Sequence, residues 1–348
     1  MENARCSLKN LADEAQVTTG TVSRALRNLS GVSQETRQRI VRLAEKHNYV
    51  PNRLARALSM GKTNLIGLVT PSELHWTIPF ESMALIHALA REHGKQVVHL
   101  SLDNGDCVAL ARIAVEQHWD GVILSPYSSQ VYDDLRKWRS TIRIPIVVLD
   151  NTTPTPGIDA VTYDRAHGVR TILNHVAQHG VRTVGVIGSP VELVDLANSR
   201  KYANLENELA MRGMKLVFTK VMEVIDNCSW GPQFFNAAYM ATEQVLAKPC
   251  EADLIMGSND LVAFGVISCL KDHGMRVPDD VAVTGYDDTE YAQYARPAVT
   301  TVRRPAEEMV HLAWSILERR LAGDTGSPKN AVLLPSLVVR NSTDKSAV

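Results

Sequence analysis

The chain has 348 residues, 45% hydrophobic and 22% charged, enough for two or three folding units with real cores. That size excludes a disulfide mini-protein, and no apolar run approaches the ~20 residues of a membrane helix. A formal net charge of −1 argues against a nucleic-acid partner only until it is divided along the chain: residues 1–62 hold 11 basic and 5 acidic side chains, a net of +6, which leaves −7 for the remainder.

A basic head on an acidic body is the asymmetry expected where one part meets nucleic acid and the other does not. The alternative is clustering of charge on solvated helices. The five cysteines, Cys6, Cys107, Cys228, Cys250 and Cys269, are widely spaced and form no C-x-x-C pair, so they read as reduced, packed thiols. The amino terminus MENARCSLKN has no apolar stretch of the signal-peptide kind, and a cytoplasmic location is the default expectation.

In chain order, the first sixty residues read as short helices. Leu8, Leu11, Ala12 and Ala15 share a face of the first, Gln16-Val17-Thr18 makes a tight turn, and Thr18 or Thr19 caps a second helix running to about Asn28. Ser33 caps a third, in which Thr36, Ile40, Leu43, Ala44 and His47 keep the helical period. Pro51 then interrupts, and Asn52 to Met60 offers one or two turns ending at Gly61. A helix this short is marginal alone and forms only when something packs against it.

From Leu65 the pattern becomes apolar strand runs alternating with amphipathic helices. One series has strands at 65–69, 97–102, 121–124 and 144–149 with helices near 79–93, 106–118 and 131–139. A second has strands at 183–188, 215–221, 253–258 and 280–286 with helices near 192–212, 232–247 and 259–273. Two such series predict two lobes of parallel sheet covered by helices, and ligands of such sheets sit outside the carboxyl ends of the strands.

The segment Leu8 to Asn28 fits a helix-turn-helix, whose second helix projects its first side chains into a major groove. Thr19, Gly20, Ser23, Arg24 and Arg27 or Asn28 lie off the face formed by Val22, Ala25 and Leu26 and are the candidate readers. Arg24 leads, because a guanidinium can contact guanine N7 and O6 together, worth roughly 1–3 kcal/mol of discrimination. The rival is a generic three-helix interaction module.

Leu11-Ala-Asp-Glu-Ala, Val17-Thr-Thr-Gly-Thr-Val-Ser-Arg-Ala-Leu, Val32-Ser-Gln-Glu-Thr-Arg and Asn48-Tyr-Val-Pro-Asn-Arg-Leu-Ala-Arg-Ala-Leu resemble the head and hinge of the lactose/galactose repressor family. Ile66-Gly-Leu-Val, Asp120-Gly-Val-Ile, Ile144-Pro-Ile-Val, Ser258-Asn-Asp-Leu-Val-Ala-Phe-Gly, Val277-Pro-Asp-Asp-Val-Ala-Val-Thr-Gly-Tyr-Asp-Asp and Thr300-Thr-Val-Arg-Arg-Pro resemble its body, in order over about residues 7–341. The resemblance implies an all-α helix-turn-helix head over 1–50, a hinge helix and linker over 51–63, and a polar tail over 342–348. Between them, residues 64–341 would form a two-lobed, periplasmic-binding-protein-like (type I) α/β body of parallel sheets that binds effector and dimerises.

The same resemblance implies a ligand-responsive, DNA-binding transcriptional regulator, a repressor rather than an enzyme, that binds a near-palindromic operator as a homodimer. Candidate DNA contacts are Ser7, Leu8, Thr18, Thr19, Gly20, Thr21, Ser23, Arg24, Arg27 and Asn28 in the head, and Asn52, Ala55 and Leu58 in the hinge. Leu58 matches the leucine that paired hinge helices insert at a central base step. An apolar wedge of this kind costs on the order of a few kcal/mol of unstacking and bends the duplex onto more protein surface. Ordinary packing beneath the hinge is the rival role for Leu58.

The resemblance also implies an effector site between the lobes, with candidate contacts Ser72, Trp76, Ser125, His167, Arg200, Lys201, Trp230, Asn259 and Asp287. A carboxylate and an amide suit a polyol, since both can fix adjacent hydroxyls. Core burial is the rival role for each Trp, and a local helix cap for Asn259. Two departures matter. His167 stands where sugar-responsive relatives often carry an acid, and their usual arginine role falls here to Arg200 or to Lys201. The effector classes are a sugar, a sugar acid or a sugar phosphate, and a histidine beside a cation favours the sugar acid or phosphate over a neutral sugar.

Other signals are bland. Gly185-Val-Ile-Gly-Ser reads as a strand-to-helix turn rather than an anion nest, no G-x-G-x-x-G or Walker sequence is present, and the eleven histidines show no metal spacing. No cofactor is therefore expected. A solute-binding protein of the same fold would need a signal sequence and no basic head, and a nucleotide-binding enzyme would need a glycine-rich phosphate loop. After Leu337-Val-Val-Arg-Asn no apolar heptads follow, which favours a dimer over a tetramer.

Overall fold

The structure, a computed structural model, describes residues 6–49, 62–71, 80–102, 107–125, 135, 144–150, 156–193, 201–223 and 232–344. The chain divides into two compact units, Met1–Thr63 and Asn64–Val348.

The first unit contains α1 (Leu8–Glu14), α2 (Thr19–Leu26) and α3 (Gln34–Lys46). Each starts at a hydroxyl cap: Ser7 accepts from the Asn10 N–H, Thr18 from Thr21 and Ser33 from Thr36. Thr18 rather than Thr19 is thus the cap of α2, and that helix stops at Leu26, with Asn28 at φ 56° closing the turn. Leu11, Ala12, Ala15, Val22, Ala25, Ile40 and Ala44 form the core. Alanines predominate because short helices must approach closely to bury anything at all.

Two of the head's arginines hold this packing. Arg37 donates to the carbonyls of Ala25 (3.1 Å) and Leu29 (2.6 Å), and Arg39 donates to that of Ala15 (2.9 Å), so α3 satisfies the open carboxyl ends of α2 and α1. Glu14 pairs with Lys46 and His47. Part of the head's positive charge is therefore structural.

The second unit has two parallel sheets. Lobe 1 comprises β1 (Leu65–Pro71), α4 (Phe80–Glu92), β2 (Gln96–Leu102), α5 (Cys107–Glu116), β3 (Gly121–Leu124), β4 (Ile146–Leu149) and β5 (Asp159–Tyr163). Its sheet runs β11-β5-β4-β3-β1-β2, closed at one edge by β11 (Asn330–Leu333) and covered by α11 (Ala306–Leu321). Lobe 2 comprises α6 (Arg165–Gln178), β6 (Thr183–Gly188), α7 (Pro190–Leu193), α8 (Leu205–Ala210), β7 (Lys215–Val221), α9 (Pro232–Leu246), β8 (Leu254–Gly257), α10 (Asp260–Asp272) and β9 (Ala282–Thr284). Its sheet runs β7-β6-β8-β9.

The chain crosses between lobes after β5, between β10 (Thr301–Arg303) and α11, and between β11 and β12 (Ser336–Val338). β10 and β12 pair antiparallel, and α6 packs on both. One apolar cluster runs from Ile66 and Leu68 of lobe 1 through Tyr163 and Tyr286 to Val184 and Val186 of lobe 2. Strands β3, β4, β6 and β8 are buried along almost their whole length, as sheets covered on both faces require.

Several expected elements are corrected. The strand expected at 144–149 starts at Ile146, because Pro145 has no N–H and contributes only its carbonyl, to Val122. The strand expected at 280–286 is limited to Ala282–Thr284. The helix expected over 192–212 is interrupted, since residues 201–204 form a turn and Asn204 lies at φ 61°. β5, β10, β11, β12, α6 and α11 were not among the expected elements. The helix expected near 131–139 falls, apart from Leu135, outside the described residues. No helix among the described residues is long and apolar enough to cross a membrane.

Candidate DNA interface and interlobe site

In the head, Thr18, Thr19, Gly20, Arg24, Arg27 and Asn28 are exposed, while Leu8, Thr21 and Ser23 are half-buried. Ser7 and Thr18 are the caps of α1 and α2, so these candidate contacts stand where open helical N–H groups attract phosphate. Arg24 lies beside the Gly31 turn on the exposed side of α2, opposite Val22 and Ala25, which are buried. An exposed helix with Thr18, Thr19 and Gly20 at its start, Arg24 in its last turn and Arg27 at its C-cap offers polar and basic groups of the kind that major-groove edges and flanking phosphates accept. Asn52, Ala55 and Leu58 lie outside the described residues.

In the body, the candidate effector residues that are described cluster at the strand exits. Ser125 follows β3, fully buried, its N–H donating to the Val69 carbonyl at 2.8 Å. Asn259 follows β8, 2% exposed, and caps α10 by accepting from the Val262 N–H at 3.0 Å. Asp287 lies three residues beyond β9, half-buried, at φ 100°. Glycines permit this crowding: a Cβ at Gly285 would stand 2.2 Å from Asp260 Oδ1, and one at Gly257 would stand 2.8 Å from the Ala263 nitrogen.

His167 is half-buried in the first turn of α6, its backbone N–H donating to Asp164 at 2.8 Å. Burial works to raise the Asp164 carboxyl, but that N–H and Arg170 outweigh it and hold it below the usual range. Lys201 is 8% exposed; its Nζ donates to the Ser258 carbonyl at 2.6 Å and stands 4.3 Å from the centre of the Tyr286 ring. Its ammonium thus braces the exits of β8 and β9 from within. Ser72, Trp76, Arg200 and Trp230 lie outside the described residues.

Further groups at these exits were not among the sequence candidates. Asp150, directly after β4 and at φ 62°, is paired with Arg165 and Arg304. Arg165 stacks 4.4 Å over Tyr163 and also donates toward Thr162. Tyr286 donates to the Arg165 carbonyl at 3.0 Å, joining the lobe-2 exit to the first crossing. Burial raises the Tyr163 and Tyr286 hydroxyls above the ordinary phenol range, so both stay neutral. Asp288 pairs with Arg303 and Arg340, each at 2.6 Å. The signal available in the sequence was position, an acid directly after the apolar run IPIVVL and a double arginine in TTVRRP.

Charged groups, hydroxyls and an amide thus ring the mouths of two parallel sheets, an arrangement suited to holding a small polyhydroxylated molecule. Among the described residues no group of three His, Cys, Asp or Glu side chains could hold a metal. Elsewhere on lobe 2, a groove of about 470 Å³ is lined by Phe235, Phe264, Ile267, Tyr291, Tyr294 and Arg296.

Comparison with known proteins agrees with both halves. Residues 7–52 match the model of bacterial regulatory proteins of the lacI family, and residues 173–343 match that of a periplasmic-binding-protein-like domain. The HTH-type transcriptional regulator CelR of Thermobifida fusca is 29% identical over 345 residues, covering 97% of this chain and 98% of CelR. The ribose operon repressor of Haemophilus influenzae is 25% identical over 344 residues, with 97% and 98% covered. Among solved structures, a lac repressor dimer bound to operator and the anti-inducer ONPF superposes with a TM-score of 0.83 at 24% identity, covering 97% of this chain and 99% of that one. A CelR–cellobiose complex gives 0.65 at 26% identity, covering 97% and 100%. The chain belongs to the lacI family of DNA-binding transcriptional regulators, proteins that act by binding rather than by catalysis.

Proposed function

We propose that this regulator represses carbohydrate-related genes, binding a near-palindromic operator as a homodimer and responding to a sugar, sugar acid or sugar phosphate held between its lobes. The observation that carries the effector half is that Ser125 and Asp150 stand at strand exits of one parallel sheet and Asn259 and Asp287 at those of the other, with Arg304 reaching both Asp150 and Asp287. Ligand held there touches both lobes, so its binding energy can bias their relative arrangement. The solved complex of CelR with cellobiose supports a carbohydrate ligand.

In this reading residues 1–50 read the major groove through Arg24 and its neighbours, and residues 51–63 supply the hinge with Leu58 as wedge. Residues 64–341 bind effector and partner; of the polar tail expected over 342–348, Ser342 and Thr343 belong instead to lobe 2, buried and hydrogen-bonded to Val283, Thr300 and His175. The lac repressor dimer on its operator supports two-fold pairing, and the groove with exposed Tyr291 and Tyr294 offers a second copy an aromatic surface. A hinge too short to hold itself needs only a few kcal/mol of differential ligand affinity, of the order typical for coupled sites, to change operator affinity strongly.

A gel shift with the full chain tests the DNA half. A sequence-specific, strongly salt-dependent complex is expected, and is lost when the chain starts at residue 63; equal affinity for every duplex would overturn it. The effector half is tested by thermal unfolding with D-ribose, cellobiose, D-gluconate and glucose 6-phosphate. A tight ligand raises the midpoint, and no response to any of the four would count against the carbohydrate reading.

A further inference from the structure

Asp150 stands at the exit of β4 in lobe 1 and Asp287 beyond the exit of β9 in lobe 2, and as two carboxylates they repel. Arg304 lies on the second crossing, directly after β10. Its Nη1 donates to Asp150 Oδ2 at 3.3 Å, and its Nε stands 3.7 Å from Asp287 Oδ1. The side chain is only 15% exposed. Burial opposes its charge, but Asp287, Tyr163 and Asp150 overcome that opposition.

Asp287 is also tied to this crossing through its backbone. Its N–H donates to the Val302 carbonyl at 2.9 Å, and it bridges to Arg303. At φ 100° it occupies a conformation that a residue with a side chain rarely adopts, which persists only where the surroundings impose it. Two different nitrogens of one planar guanidinium thus face carboxylates of two lobes, a geometry that a point charge on a flexible stem cannot reproduce.

We propose that Arg304 is the positioning residue of the interlobe site: it holds Asp150 and Asp287 as one unit across the lobes, so that the two carboxylates engage ligand hydroxyls jointly and report their engagement to the crossing segment. The assignment rests on the interlobe effector reading above. A ligand that draws Asp287 toward its own hydroxyls loosens that carboxylate's hold on Arg304, and the change is felt at the hinge between lobes.

The bridge itself is tested without ligand, by unfolding the full chain. Asp150→Asn and Asp287→Asn should each lower the midpoint, and their combined shift should differ clearly from the simple total, because both act through Arg304. In an Arg304→Gln background the two shifts should add. Arg304→Lys, which keeps the charge without the fork, should leave them additive as well. Additivity in the unsubstituted background, or coupling fully restored by lysine, overturns the bridge.

The role toward ligand is tested with whichever of D-ribose, cellobiose, D-gluconate and glucose 6-phosphate most raises the midpoint of the unsubstituted chain. Its affinity should fall about tenfold or more in both Arg304 variants, measured where each is folded. Undiminished affinity overturns the positioning role while sparing the interlobe reading. Silence of all four sugars counts against the carbohydrate reading and leaves the unfolding comparison to decide the bridge.

Discussion

Asp260 Oδ1 accepts from the Thr301 hydroxyl at 2.6 Å, while its Oδ2 accepts from the N–H and the hydroxyl of Thr289. One buried carboxyl therefore joins the start of α10, the loop that carries Asp287, and β10 at the second crossing. Burial, against these donors and with the help of the Asp287 charge, pushes this carboxyl up to about 7. The folded chain then keeps a proton that the unfolded chain releases in the usual carboxylate range. Its contribution to stability is full below that range and is lost as pH rises through about 7. Asp260→Asn should flatten this dependence, removing on the order of 1–3 kcal/mol of difference between pH 5 and pH 8. Urea unfolding of both proteins at the two pH values checks it, and an undiminished slope in the variant would refute the assignment.

The link from Tyr286 to the Arg165 carbonyl requires a bare backbone at Gly168. A Cβ there would stand 2.4 Å from the Tyr286 hydroxyl oxygen and 2.9 Å from Val302 Cγ1. Alanine is favoured over glycine in a helix by about 1 kcal/mol, so propensity alone predicts a more stable protein. Overpacking costs about 1–3 kcal/mol and should win, because Tyr286 and Val302 are both buried. Gly168→Ala is expected to lower the thermal midpoint of the body. A midpoint equal to or above the parent's would show that the tyrosine has room to move.

The head separates two kinds of arginine. Arg37 donates to the Ala25 and Leu29 carbonyls, whereas Arg24 is exposed on α2. Arg37→Ala should destabilise the head by about 1–3 kcal/mol, and so weaken binding to every duplex in proportion. Arg24→Ala should leave head stability within about 0.5 kcal/mol and relax discrimination at one base pair by about 1–3 kcal/mol. Circular dichroism melts beside binding to single-substitution operators tell them apart. An Arg24 variant that loses affinity equally for all sequences would make it a phosphate contact instead.

What was legible in the sequence follows from where burial is continuous. GVIL at 121–124 and TVGVIG at 183–188 match their strands residue for residue because central parallel strands carry near-continuous apolar runs; KLVFTKV at 215–221 also matches, although β7 is a half-buried edge strand. DAVTY at 159–163 was invisible: Asp159 and Thr162 break its short apolar run, yet all five residues are buried in a strand flanked by β4 and β11. β10 and β12 were invisible for a related reason, since each is three residues long and defined by pairing with the other. Asn259 and Asp287 could be singled out because they directly follow strand patterns. Arg165 could not, and Arg304 stood out only as half of a double arginine, because the two meet at Asp150 only after the chain has crossed between the lobes.

Asn259 poses the question of cap against ligand contact in a form that two substitutions separate. Its side-chain oxygen accepts from the Val262 N–H, which occupies the acceptor, while the amide nitrogen is the group a ligand hydroxyl would meet. Asn259→Ser keeps a capping oxygen and loses the amide. It should hold stability within about 0.5 kcal/mol, since serine and asparagine cap about equally well. Asn259→Ala loses both functions and should cost about 1 kcal/mol. If the residue also contacts effector, the serine variant should keep the parent's unfolding midpoint without sugar yet show a reduced midpoint rise with the sugar that stabilises the parent most. A serine variant with the full rise would leave Asn259 as a cap alone and place the burden of recognition on Asp287 and Asp150.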